Sequence, residues 1–178
     1  MLKLIGIVFA VVALGAAGLV AYASTLPDES RIARTANISA TPEKIFPLIN
    51  NLRTFNTWNP FAQKDPNAKA SYSGPESGVG AVHAWDGNRD VGEGTIAITG
   101  SSPSSEVVMN LHMIRPMEVD NRVQFTLQPR GNTTDVTWAM DARAPLIGKV
   151  MCLFFNMDKM VGGEFERGLI SLKALAEK

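Results

Sequence analysis

The chain opens on an uninterrupted apolar run, Leu4 to Ala23, with no charged position. A helix rising 1.5 Å per residue needs roughly 20 such residues to cross a hydrocarbon core of about 30 Å, so the run predicts a membrane anchor. Lys3 precedes it and Asp28 and Glu29 follow it, which predicts a cytoplasmic N-terminus and a domain on the extracytoplasmic, periplasmic side. Ala21-Tyr22-Ala23 also fits the small-x-small pattern of a signal-peptidase site, and cleavage after Ala23 would leave a secreted or periplasmic protein. The run exceeds the usual signal-peptide core, which favours an uncleaved anchor in residues 1–26 and one domain in residues 27–178.

After Leu26-Pro27-Asp28 the period becomes two. Ile32, Arg34, Ala36 and Ile38 share a parity, a half-buried strand with a polar break at Arg34. The period then lengthens: Thr41 can cap a helix, Pro42 suits its first turn, and Ile45, Phe46, Leu48, Ile49 and Leu52 form an apolar stripe. Pro47 cannot donate to the carbonyl of Glu43, so this helix is expected to be short or kinked. A second short helix follows from Leu52 to Trp58, stopped by Asn59-Pro60.

Beyond Phe61 the chain is polar as far as Tyr72, and a series of strands then begins. Ala81, His83 and Trp85 alternate with Val82, Ala84 and Asp86, and Gly87-Asn88 turns into a strand with Gly94, Ile96 and Ile98 on one side. Val107, Met109, Leu111 and Met113 fall on one face of the next strand, with His112 on the other, until Arg115-Pro116. Val123, Phe125 and Leu127 repeat the alternation, and after a turn at Pro129 to Asn132 so do Val136, Trp138, Met140 and Ala142. The sum is an antiparallel meander with one greasy face. Beyond Pro145, the positions Phe154, Met157, Val161, Phe165, Gly168, Leu172 and Leu175 recur at helical spacing, the stripe of a long helix able to cover that face. Gly162, Gly163 and Gly168 weaken that helix, which predicts a bend or a close backbone approach. The fold class is α+β.

Charge and composition narrow the chemistry. Lys+Arg and Asp+Glu both number 17, so no net field favours nucleic acid. The single cysteine, Cys152, excludes an intrachain disulfide framework, and with two histidines no zinc cluster assembles from the usual ligands. No metal or cofactor is implied. Gly78-Val79-Gly80 has the look of a phosphate loop, but His83 stands where a dinucleotide fingerprint needs its third glycine, and a strand follows instead of a helix.

The order of parts, together with "TPEKIFPLINNLRTFNTWNPF", "YSGPESGVGAVHAWDGN", "VGEGTIAI", "VTWAMD" and "MDKMVGGEFERGLISLKAL", resembles the SRPBCC superfamily, also called START-like or helix-grip proteins. It is most similar to the polyketide cyclase/dehydrase and lipid transport branch, over Thr41 to Leu175. The resemblance implies a curved antiparallel sheet wrapped around the C-terminal helix, with a deep apolar cavity between them and Gly78-Val79-Gly80 at the entrance to a strand. It specifies a fold better than a function, because that scaffold carries unrelated activities.

Within such a cavity the ligand-binding candidates are Trp58, His83, Trp85, Met109, Leu111, Met113, Phe125, Trp138, Met140, Met157, Asp158, Val161 and Phe165. Tryptophans offer aromatic walls with a polar N–H, and methionines an adaptable surface. His83 and Asp158 are the weak catalytic candidates. The competing reading makes His83 structural and pairs Asp158, at the margin of the buried stripe, with Arg34 or another basic group. With no convincing catalytic constellation, the sequence predicts a membrane-tethered binding domain for a lipid, quinone or isoprenoid. A polyketide cyclase or dehydratase and an envelope protein-interaction domain are the alternatives.

Overall fold

The computed structural model describes residues 2–143, 146–154 and 156–178. Helix α1 (Leu2–Ser24) precedes β1 (Glu29–Ile38), and three short helices follow: α2 (Pro42–Asn50), α3 (Leu52–Trp58) and α4 (Pro60–Gln63). Six strands come next, β2 (Lys69–Ser73), β3 (Val82–Asp86), β4 (Glu93–Ser102), β5 (Glu106–Arg115), β6 (Val119–Arg130) and β7 (Thr133–Arg143). Helices α5 (Leu146–Phe154) and α6 (Met157–Ala176) complete the chain. The seven strands form one antiparallel sheet in the order β1-β7-β6-β5-β4-β3-β2, so each strand from β2 to β7 pairs with its neighbour in sequence and β1 closes onto β7.

Period two sets the faces. Ile32, Ile38, Ile96, Ile98, Val107, Met109, Val123, Phe125, Leu127, Val136 and Trp138 are buried in a single core with Ile45, Ile49, Leu52, Phe55 and Trp58 of the short helices. Register shifts between β4 and β5 at Glu93/Gly94 and Ile98/Gly100 are the irregularities that bend a strand and increase its twist. Asn51 caps α3 by accepting from the N–H groups of Arg53 and Thr54, and Asn59 accepts from the N–H of Phe61, so the Asn59-Pro60 stop of α3 also starts α4. Pro47 lies inside α2, which spans only 9 residues.

Helix α6 packs chiefly along β1 and touches β7. It is fastened to β1 along its length. Arg34 reaches its first turns, Lys173 Nζ donates to the carbonyl of Asn37 at 2.8 Å, and Glu177 Oε1 accepts from the N–H of Ser39 at 2.7 Å. Two of the three glycines, Gly162 and Gly168, serve close approach, while Gly163 faces open space. A Cβ on Gly162 would fall 2.1 Å from a guanidinium nitrogen of Arg34, and one on Gly168 would fall 2.6 Å from the ring of Trp138 and 3.0 Å from Pro60.

Three expectations change. The C-terminal stripe is divided, because α6 begins at Met157 behind its cap Asn156, whose side chain accepts from the N–H of Lys159. Phe154 belongs to α5, and its side chain and Pro145 lie outside the described residues. Strand β2 went unread in the sequence because it is an edge strand whose positions are exposed except for a half-buried Tyr72, which erases the alternation. Among the described residues, no helix is long and apolar enough to cross a membrane. Several side chains of the expected anchor, at residues 4, 5, 8, 10 and 12, lie outside the described residues.

Gly78-Val79-Gly80 is the doorway to a strand. Gly78 and Gly80 have φ of 79° and 91°, Gly80 N–H donates to the carbonyl of Ile98 at 2.9 Å, and β3 begins two residues later. Replacing Gly168 tests the other use of glycine, close packing. Gly168→Ala should cost about 1–3 kcal/mol in denaturant unfolding with an unchanged slope, because the rigid Trp138 ring and Pro60 both oppose the added methyl. An unchanged midpoint would show that α6 does not depend on this approach.

Candidate functional site

Helix α6 lies along β1 and α2 covers part of β5 and β6, and between them a stretch of the inner face of the sheet faces a space. A cavity of about 490 Å³ lies there. Its floor is the sheet, through Ala70 and Tyr72 of β2, His83 and Trp85 of β3, Ile96 of β4, Leu111 and Met113 of β5, Asn121 and Val123 of β6, and Trp138 and Met140 of β7. Its walls are Phe55, Asn56, Asn59, Phe61 and Ala62 from α3, α4 and their junction, with Val161 and Phe165 from α6. Asp65, Pro66, Ala68, Asp90 and Val91 come from the loops flanking β2 and following β3. A smaller hollow of about 260 Å³, lined by Leu52, Arg53 and residues 72–76 among others, shares Tyr72 with it.

Eight of the residues expected at such a cavity line it: His83, Trp85, Leu111, Met113, Trp138, Met140, Val161 and Phe165. Five do not. Trp58, Met109 and Phe125 are fully buried in the core behind it. Trp58 Nε1 donates to the carbonyl of Leu48 at 2.8 Å, and its ring meets Phe55, Phe125 and Trp138 edge-on. Met157 is exposed at the start of α6. The Asp158 carboxylate is 62% exposed and accepts from both terminal nitrogens of Arg34 at 3.0 Å, so it faces the guanidinium rather than the cavity. That hydrogen bonding, more than the opposite charge itself, holds its carboxyl below the usual range. Glu166 Oε1 accepts from Arg34 Nε at 2.7 Å, so the polar break in β1 is the clasp that holds α6. On the outer face of the sheet, His112 Nδ1 lies 3.0 Å from Asp120.

The sequence reading missed Asn56, Tyr72 and Asn121. These belong to the cavity's polar groups. The Asn56 amide nitrogen donates to Tyr72 Oη at 3.0 Å and lies 3.1 Å from His83 Nδ1, while its oxygen is met by Asn59 Nδ2 at 3.4 Å. This orientation makes Nδ1 the acceptor and places the proton on Nε2. Tyr72, His83 and Trp85 form a stack, with ring centroids 4.7 and 5.6 Å apart, and Arg53 covers the Tyr72 ring at 4.2 Å. Trp85 Nε1 donates to the carbonyl of Val91 at 3.1 Å. Trp138 stacks on Phe165 at 4.3 Å, and its buried Nε1–H has no partner among the described residues. Asn121 shares its parity with Val123 and Phe125, a signal the sequence did carry.

The family profile for "polyketide cyclase / dehydrase and lipid transport" matches residues 30–177. The chain belongs to that family. The polyketide cyclase/dehydrase and lipid transport family is part of the helix-grip superfamily, and several solved structures are similar to this chain in fold. Protein CV1439 from Chromobacterium violaceum is 14% identical with a TM-score of 0.58, over 86% of this chain and 99% of that one. The Aha1 dimer from Colwellia psychrerythraea is 20% identical with a TM-score of 0.59, over 83% and 96%. TTHA0849 from Thermus thermophilus is 12% identical with a TM-score of 0.57, over 83% and 97%. At these identities the likeness establishes the fold. Comparison with the curated proteins gives no match.

Burial lowers the pKa of His83 from its ordinary value of 6.5. A proton on Nδ1 would also put two donors face to face at Asn56. The unfolded chain therefore takes up this proton more readily than the folded one. The stabilisation is complete above the unfolded value and is lost as pH falls below about 6.5 toward the folded value. His83→Phe keeps the ring stack and removes the titration. Denaturant unfolding of the wild type should weaken with falling pH in that window more steeply than in the variant, and equal slopes would contradict a buried neutral imidazole.

Proposed function

We propose that this domain binds an apolar small molecule between the sheet and α6, as a carrier, sensor or scavenger rather than as an enzyme. The carrying observation is the cavity itself: about 490 Å³, walled by Phe55, Phe61, Trp85, Ile96, Leu111, Met113, Val123, Trp138, Met140, Val161 and Phe165. The family's description includes both lipid transport and cyclase or dehydrase activity, so the choice between them rests on the site. Acid–base chemistry on a reactive chain needs titratable groups that converge. His83, stacked on Tyr72, is one, and Asp90 lines the cavity from the loop after β3; Asp158 faces Arg34, and the two Asp65 oxygens accept from the backbone N–H groups of Asn67 and Asn88. The binding reading needs only the apolar walls and a few polar atoms.

A tether at the membrane fits this reading. Leu4 to Ala23 carries no charge, and Ile7, Phe9, Val11 and Leu14 of α1 are 62–75% exposed, an arrangement that favours an apolar medium over water. The buried Lys149 of α5 fastens the segment after α1, donating to the carbonyl of Leu26 at 2.7 Å and to Asp28 at 2.5 Å. The charges flanking the run favour the extracytoplasmic side for the domain. One preparation tests both parts: the full chain, isolated from alkaline-washed membranes of its host and examined by native mass spectrometry. The expected result is retention in the washed membranes and a protein mass increased by one apolar molecule that survives incubation unchanged. Release by the wash would overturn the tether. A chain that stays empty after exposure to host lipid extract, or that converts the molecule, would overturn the binding reading.

A further inference from the structure

The cavity's polar atoms are arranged in a way the apolar walls alone do not require. Pairing across the sheet runs His83 to Ile96, Ile96 to Leu111, and Leu111 to Asn121, so one transverse row carries a polar residue at each end and two aliphatic residues between them. All four line the cavity. His83 and Asn121 are both more than nine-tenths buried, at 7% and 8% exposure. With Nδ1 of His83 facing Asn56, its Nε2–H is left without a protein partner among the described residues, and so is the Asn121 amide. Neither atom set is sealed in the packing, since the only fully buried, unpartnered side-chain polar atom among the described residues is Trp138 Nε1. Buried polar groups ordinarily find hydrogen-bond partners, and two that line one cavity await them from what fills it.

Charge narrows the occupant further. The ionised residues among the lining are Asp65 and Asp90, both acidic, and no lysine or arginine is among them. A carboxylate or phosphate drawn into this space would lose its water with no cation to replace it, in a lining that already holds two carboxylates. We infer that the cavity is built for an uncharged, mainly apolar molecule with an oxygen function at each end. One oxygen accepts from His83 Nε2–H, the other pairs with the Asn121 amide, and the body lies over Ile96 and Leu111. Three strand spacings of about 4.8 Å set an upper span of about 14 Å between the two backbones, the scale of two or three fused or linked rings. This inference rests on the reading of the cavity as a binding site.

The test uses the full chain in lipid nanodiscs, titrated by calorimetry with a matched set of rigid probes, empty discs supplying the blank. The probes are biphenyl, its para-hydroxy and para,para′-dihydroxy derivatives, and its para,para′-dicarboxylate. Each added hydroxyl should tighten binding roughly three- to tenfold, the range of one neutral hydrogen bond, and the dicarboxylate should bind at least roughly tenfold more weakly than the diol. In Asn121→Leu the advantage of the diol over the monohydroxy compound should vanish. A diol no tighter than biphenyl, or a dicarboxylate that binds best, would overturn the inference while leaving the binding reading intact. Failure of every probe to bind would overturn that reading, and the inference with it.

Discussion

The seating of α6 on one half of the sheet is the constraint on which the rest depends. A helix laid centrally would fill the hollow of the sheet with its own side chains. Here the stack of Trp138 on Phe165, with Gly168 allowing the ring beneath the helix, draws α6 against β7 and β1. The Arg34 clasp acts beside it, since Arg34 pairs with Trp138 across β1 and β7. Its guanidinium occupies the space vacated at Gly162 and engages Asp158 and Glu166, all on the β1 side. Helix α2 covers Ile98, Val107 and Met109 at one end of β4 and β5, and the stretch of the inner face at His83, Ile96 and Leu111, which neither α2 nor α6 fills, lines the cavity.

An unfilled apolar space loses the dispersion contacts its lining would otherwise make, so it persists only where the surrounding frame is fixed independently. Several features fix it. The fully buried cluster of Phe55, Trp58 and Phe125 closes one side, Lys64 pairs with Glu164 at 2.9 Å to join α4 to α6, and Lys173 and Glu177 fasten the end of the helix to β1. The Asn56–Tyr72–His83 network stiffens the far wall, where the sheet ends at an edge strand. Stability and the site are thereby separated: the aromatic core supplies packing, while the cavity keeps a few oriented polar atoms.

Much of this was legible in the sequence wherever a residue's environment follows from its own strand or helix. The faces of β1, β3, β4, β5, β6 and β7 follow from alternation, the end of α3 from Asn59-Pro60, and the inward placement of His83 and Trp85 from their shared parity. What failed was depth. Trp58, Met109 and Phe125 point inward as expected, but whether an inward residue meets the cavity or the packed core is decided by where α2, α3 and α6 come to rest, which is a long-range outcome. Asn56 gave no signal because its role depends on Tyr72 and His83, contributed by strands 16 and 27 positions away. Asp158 lay at the margin of a stripe, and only the three-dimensional position of Arg34 decides which way it turns.

The most direct test of this account is a crystal structure of the protein under pressurised xenon, which settles in apolar space accessible to it without needing specific contacts. The account predicts xenon between the sheet and α6, against Ile96, Leu111 and Val123, with the Arg34 clasp and the Trp138–Phe165 stack undisturbed. Absence of xenon there, with α6 shifted onto β4 and β5 so that the space is closed, would contradict it.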